Sequence, residues 1–502
     1  MSSTSVSVTA TAGVIDRRLQ KAGVQIETAI AFVGCLIILV ADAQSLALIP
    51  LISNLEKVYG LTPIQASWTL AAPGVVAAGC VPTFARLGDR FGMRRLTLIS
   101  LLLALLANLL CALAHGFGLL VIGRGILGMS AALPLSYAIL RARGTSERRT
   151  TRGVAVITLA SGLGVAVAYL LGGILVNAHG SARTVFWALT ALSAITLLAA
   201  WWILPDAHLR STDPIDWGGA VGVCLGLVAI VLGITEGNTW GWSSPRVLAC
   251  LLGGAAVLAL WAVYETNQRY PLINVRRVCN RIALPAFFVV AVSGSMAGFT
   301  NLAQTTYVQM PKVTGYGLGL SVLHSAYALC VISAGVMIGS AVAGPTISRL
   351  GPGRVMAVGS LVIAANFVVL AANHSGLWSF LIWDIVWGLA FGFVYSAANA
   401  AYLEEATPSE AAMYVSANTV VSAAVSGIAP AIFIALLTSR TIPHTPIPDP
   451  VVFTHMWIYA AAASVIMATI ALLVRRPRYV PGTPPTAAVD AAGDAEAAPV
   501  GA

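Results

Sequence analysis

Apolar residues along this chain come in blocks of about 20, and charged or turn-forming residues are confined to the short gaps between them. Fourteen blocks can be marked, at 28–50, 64–84, 95–114, 117–140, 153–176, 183–204, 217–236, 246–265, 282–308, 321–345, 355–373, 378–402, 411–437 and 454–474. At 1.5 Å per residue, about 20 apolar residues cross the roughly 30 Å hydrocarbon core of a bilayer. Inside lipid such a block must be helical, because hydrocarbon offers no partner to a free backbone N–H or C=O. The pattern predicts an all-α integral membrane protein with fourteen transmembrane helices. The first block is preceded by a long polar stretch and followed by no small-residue cleavage site, so it reads as a retained span rather than a signal peptide.

Composition agrees: 58% of residues are hydrophobic, 9% are charged, and the mean hydropathy is +0.86. A soluble domain carries about 25% charged residues. The positive charges set an orientation. Alternate gaps, starting from the N-terminus, hold 22 of the 28 Lys and Arg, and the other gaps hold 5. That bias predicts both termini in the cytoplasm. The net charge of +9 then reflects topology and contact with anionic lipid, not nucleic-acid binding. The seven cysteines form no CxxC or Cys/His cluster, so neither a zinc site nor a disulfide framework is expected, and they read as small core residues. The two ends are low-complexity and are expected to be disordered cytoplasmic tails. Arg outnumbers Lys heavily and Ala is abundant, which points to a GC-rich bacterial source.

The chain repeats itself at an offset of 259 to 260 residues. The stretch 85–95 (ARLGDRFGMRR) aligns with 344–354 (GPTISRLGPGR), so Arg90, Gly92 and Arg95 match Arg349, Gly351 and Arg354. At nearly the same offset Asp42 falls on Asn301, Arg124 on Asp384 and Gly128 on Gly388. Repeats of this kind are how many secondary transporters are built, with the binding site between them. The predicted organisation is a tail (1–27), a six-helix half (28–204), an inserted helix pair with linkers (205–281), a second six-helix half (282–474) and a tail (475–502).

Charges within the spans are the candidate functional groups. A charged side chain at the centre of a membrane helix costs about 2.5–3.5 kcal/mol on insertion scales, so it is expected to face the protein interior or a cavity. Asp42 can take up and release a proton, whereas Arg124 stays charged and can only modulate a neighbouring acid. Asp384, at the repeat position of Arg124, could pair with it across a central cavity in one state; local hydrogen bonding is the alternative. His324 could relay protons or be a satisfied core histidine. Asn301, Tyr395, Asn399 and Asn418 are candidate polar groups of a substrate cavity.

Four stretches carry a resemblance: 85–95; Asp42 through Pro50 followed by Trp68; 236–245 (EGNTWGWSSP); and Trp261 to Glu265 followed by Pro271, Leu272, Asn280 and Arg281. On these the chain resembles the fourteen-span drug:proton antiporter branch of the major facilitator superfamily, from about residue 30 to 475. The resemblance implies a proton gradient as the energy source and no cofactor. It also implies a gating motif of Gly88, Asp89, Arg90, Gly92, Arg94 and Arg95, in which the Asp89 carboxylate latches against those arginines or a helix N-terminus of the other half. The fourth-span arginine of the family is linked to proton transfer, which would give Arg124 that role. The family's fifth-span motif, Gly-xxx-Gly-Pro-xx-Gly-Gly, is only partly kept. Gly164, Gly172 and Gly173 are present, but Ala168-Tyr169 stands where Gly-Pro is usual.

The expected function is therefore secondary, proton-coupled export of small amphipathic molecules such as drugs or antibiotics, by a monomer in the cell membrane. A transporter of one specific metabolite is the alternative. No phosphate-binding loop of P-loop type, His-Glu-x-x-His or Gly-x-Ser-x-Gly motif is present, so neither an ATPase nor an enzyme is expected.

Overall fold

The computed structural model describes residues 25–143, 147–205, 215–269, 271, 273–280, 283–373, 376–404, 411–443, 445 and 447–474. The two tails expected to be disordered lie outside the described residues for most of their length. Fourteen described helices are long and apolar enough to cross a membrane. They are α1 (Ile26–Tyr59), α2 (Pro63–Phe91), α3 (Met93–Leu113), α4 (Phe117–Arg143), α5 (Glu147–His179), α6 (Ala182–Ile203) and α7 (Trp217–Thr235), followed by α8 (Pro245–Asn267), α9 (Ala283–Gln309), α10 (Val322–Leu350), α11 (Pro352–Ala372), α12 (Leu377–Glu404), α13 (Ala411–Leu437) and α14 (Pro450–Ala471). The described residues form no β-ladder beyond one isolated bridge, Thr441 to Pro448.

Two helices differ from their apolar blocks for local reasons. The first block ends near residue 50, but α1 passes through a 3₁₀ turn at Ile49–Leu51 and continues to Tyr59. It stops at Gly60, whose φ of 62° suits glycine. The fourth block reads as one helix, but α4 is two segments, Phe117–Gly128 and Ala132–Arg143. Pro134 has no N–H to donate to the carbonyl of residue 130, and its ring would crowd that carbonyl. The freed Ala131 N–H donates instead to Ser100 Oγ at 3.2 Å. A broken membrane helix survives only where protein re-satisfies its backbone in this way.

In the first half α1 packs along α5 and α3 along α6; in the second, α10 packs along α12 and α11 along α14. Between the halves, α2 lies against α13 and α5 against α10. The second helix of each half thus meets the fifth of the other, the reciprocity a two-fold repeat requires. The pair α7–α8 packs together, with α7 resting on α2 and α13, and α8 mostly exposed.

Among the described residues, the contacts between halves named here lie away from the face that carries the arginine-rich 2–3 and 10–11 loops, here called the basic face. At the opposite end Ser67 Oγ donates to Pro430 O at 2.9 Å, and Gln309 Nε2 donates to Pro50 O at 2.8 Å. Deeper in, Gly74 meets Ser426 and Gly427, Cys330 faces Ala166 O, and Gly162 meets Met337. Further along the same side of α10, Ala341, Gly344, Pro345 and Ser348 are exposed. Among the described residues, the halves are in contact on one face and α10 is exposed toward the basic one.

Candidate functional site: a central cavity between the halves

The first-half polar groups are set by α1. The Asp42 carboxylate turns toward α5, where Ser161 Oγ donates to it at 3.5 Å. Gly164 makes room for it: a Cβ there would lie 2.7 Å from Asp42 Oδ2. Arg124 is 2% exposed. Its Nε donates to Thr69 O and its Nη1 to Gln44 O, both at 2.8 Å. One guanidinium thereby ties α4 to α2 and α1 through backbone carbonyls, and among the described residues it makes no ion pair. Gln44 Nε2 and Asn108 Nδ2 both donate to Ser193 Oγ, at 3.1 and 3.2 Å, which extends this polar seam to α3 and α6.

The second half places its polar groups on α9. Gln304 Nε2 donates to Asp384 Oδ2 at 2.6 Å, and Asp384 is 5% exposed. Asn301 Nδ2 donates across the interface to the Tyr169 hydroxyl of α5 at 3.2 Å. Asp384 and Arg124 are therefore not brought together. Each has its own local partners, in opposite halves.

Between these groups lies a cavity of about 340 Å³. Its walls come from α1, α2 and α4 of one half and α9, α12 and α13 of the other. They are mostly apolar, with Ser45, Arg124, Asn301, Tyr395, Ser422 and Ser426 as the polar groups. A second cavity of about 180 Å³ shares Ser45, Pro73, Gly74 and Ser426 with it and reaches the break in α4 at Ser130.

The 2–3 loop sits on the basic face. Gly92 has φ 103°, a conformation that side chains resist, and it turns the chain directly from α2 into α3. Gly88 packs under Leu135. Arg94 caps the end of α6, with Nε to Leu204 O and Nη2 to Trp201 O, both 2.7 Å. Arg90 lies over the Phe91 ring, and Arg86 donates to Pro271 O. Asp89 is half-buried and feels the charge of Arg86, but forms no hydrogen bond or ion pair among the described residues. The latch expected of Asp89 is not engaged here.

A family model described as Major Facilitator Superfamily matches residues 34–430. The chain belongs to the Major Facilitator Superfamily. Among curated relatives it is 28% identical over 317 residues to a multidrug resistance protein B homolog of Mycobacterium tuberculosis, an alignment covering 62% of this chain and 57% of that one. It is 26% identical over 325 residues to the puromycin resistance protein of Streptomyces alboniger, covering 63% and 62%. The matches thus span less than two thirds of either relative. Solved structures with the same fold include the nucleoside transporter NupG (TM-score 0.61, 13% identity, 90% of this chain and 100% of that one) and the peptide transporter POT in complex with sulfate (TM-score 0.63, 15% identity, 89% and 94%).

For a superfamily member, the fifth helix is the point of departure. Gly172 approaches Ala47 O and Gly173 approaches Leu323 and Ala326, so the small-residue face is used on both sides. Tyr169, standing where the branch has Pro, is buried and reaches Asn301 in the other half. Two expectations need correction. His324 is neither a core histidine nor a cavity group. α10 begins at Val322, so His324 lies exposed in the first turn, its Nδ1 2.7 Å from Ser321 Oγ. Asn399 and Asn418 do not line the cavity; Asn399 bonds Tyr395 O and Tyr402, and Asn418 Nδ2 lies 3.5 Å from Asn399 Oδ1. Asn301 and Tyr395 do line it. Gln304 and Phe391 were not singled out in the sequence; the four-residue spacing Trp387, Phe391, Tyr395 was the available signal for the latter.

Proposed function

We propose that this chain is a secondary active transporter that exports small amphipathic molecules by proton antiport, acting as a monomer in a bacterial cell membrane with both termini in the cytoplasm. The supporting observation is the mostly apolar cavity bounded by three helices from each half, with the halves in contact at one face and α10 exposed toward the other. Such a site suits alternating access, in which one half rocks against the other about a fixed binding position. In this reading the basic face is cytoplasmic and the structure is open toward it. Asp42, the ionisable group next to the first-half wall, carries the proton. Arg124 holds α1 and α2 in register with α4. Asp384 is a second proton-accepting group in the other half, and the 85–95 loop closes the inner gate through Asp89 when the halves meet there. The names of the curated relatives, multidrug and puromycin resistance proteins, favour export of drug-like cargo. Tyr169 in place of the fifth-helix Pro is the one feature that favours a narrower, metabolite-specific transporter.

The test is a flux assay in vesicles containing the full chain, with an imposed proton gradient and a panel of antibiotics and dyes. Gradient-dependent movement that stops when the gradient is collapsed is expected. Movement that survives the collapse would overturn the antiport reading.

A further inference from the structure

The described walls of the central cavity hold one formal charge, and it is positive. Arg124 is the only residue charged at neutral pH among its described lining residues, and the adjoining smaller cavity has none. The two carboxylates of the neighbourhood are turned away: Asp42 toward Ser161 and Gly164 on α5, Asp384 toward Gln304 in the other half. The Arg124 guanidinium is buried and only partly used. Nε and Nη1 are bonded to carbonyls, whereas Nη2 bonds no described residue and is not sealed away from the cavity that Arg124 lines. The Nη2 donors are thus met by no described residue, on a side chain that lines a mostly apolar space with no described anion among its walls. A buried charge of this kind is best satisfied by a charge-assisted hydrogen bond from an anion. A cation in the same space would face like charge with no carboxylate among the described lining residues to offset it.

The opposite wall adds a shape. On α12, Phe391 stacks on Tyr395 with ring centroids 5.6 Å apart and planes 14° apart, and Trp387 stacks on Phe391 at 5.3 Å and 21°. Phe391 and Tyr395 both line the cavity, and a wall of aromatic rings favours an aromatic guest packed against their edges or exposed faces. The volume of about 340 Å³ lies at the small end of the range for drug-sized ligands.

We propose that the cavity takes a planar aromatic amphipath bearing one anionic group, a carboxylate or phenolate, whose charge is met by Arg124 Nη2 while its ring lies against Phe391 and Tyr395. This rests on the reading of the cavity as the cargo site. It narrows the cargo class away from the lipophilic cations that a carboxylate-lined cavity would select.

Three probes of one ring system test it: 9-anthracenecarboxylate (anion), 9-anthracenemethanol (neutral) and 9-(aminomethyl)anthracene (cation at pH 7), titrated calorimetrically into the purified full chain with no gradient present. The anion should bind tightest, by on the order of ten- to a hundredfold over the neutral probe, the range of a hydrogen bond to a charged group. The cation should bind weakest. Arg124→Gln should remove the anion's advantage, and Arg124→Lys should keep part of it. The proposal is overturned if the wild-type chain binds the cation as tightly as the anion, if Arg124→Gln keeps the anion's advantage, or if no probe binds saturably. The wild-type ranking decides even if a variant fails to fold. A chain that ranks the probes as expected but moves none of them in the vesicle assay would sink the transport reading and leave this site standing.

Discussion

Each of the three membrane-embedded charges at the centre of this chain is accommodated differently. Arg124 is held by backbone carbonyls from two helices, Asp384 by a side-chain amide, and Asp42 by one long contact to Ser161 beside a glycine. Asp42 is the least constrained of them, which suits a group that must change protonation during a cycle. Asp42→Asn keeps the volume and removes the titration. Gradient-driven flux should fall to the level of empty vesicles while downhill exchange of cargo persists; retained gradient-driven flux would remove Asp42 from coupling. Asp384 separates structure from charge in a similar way. In Asp384→Asn the amide can still accept from Gln304, so thermal stability should stay close to wild type. Asp384→Ala leaves that buried donor without a partner and should cost about 1–3 kcal/mol, read as a lowered unfolding temperature in detergent. Unchanged gradient-driven flux in Asp384→Asn would confine Asp384 to structure.

At the scale of elements, close approach of helices depends on where side chains are absent. The crossing of α10 and α12 is reciprocal. A Cβ on Gly339 would sit 2.2 Å from Leu389 O, one on Gly388 2.3 Å from Ile332 O, and one on Gly392 2.5 Å from Val336 O. Small residues four apart on both helices let the backbones touch, which is what drives packing when lipid supplies no hydrophobic force between helices. Gly339→Leu should therefore destabilise the chain by at least about 1–3 kcal/mol, the ordinary cost of overpacking. Gly253→Leu on α8, where nothing lies within 4 Å of a Cβ, should not. Equal losses of unfolding temperature for the two would refute the account. The helices themselves were legible as apolar blocks, because lipid dictates their length and polarity. The break in α4 was not read, although Pro134 marks it, since an apolar block looks continuous whether or not its backbone is. Tyr169 was visible as a departure from Pro, but its bond to Asn301 joins residues 132 positions apart. The repeat at 259 to 260 residues does not link these two positions, and no other period or motif in the chain does.

At the scale of the whole molecule, the repeat at 259 to 260 residues anticipated corresponding positions but not partners. Asp42 aligns with Asn301 and Arg124 with Asp384, yet neither pair is in contact, because two-fold related positions lie on opposite sides of the axis unless they sit on it. What the symmetry does produce is the reciprocal packing of α2 on α13 and α5 on α10, the arrangement that the proposed alternating access would use to open two faces in turn. On α10 the transition between them is sharp. Ala326 is fully buried beside Gly173, whereas Ser348, on the basic face, is exposed. In a background with the seven native cysteines replaced, a membrane-impermeant maleimide should label Ser348→Cys readily and Ala326→Cys hardly at all. If the basic face is cytoplasmic, Ser348→Cys should react in inside-out vesicles and stay protected in intact cells; the opposite pattern would invert the orientation. Ala326→Cys should become reactive from the other side only under conditions that drive turnover, cargo together with a proton gradient. Failure to gain that reactivity, in a chain shown to transport, would mean that these halves do not part at the face where they are now closed.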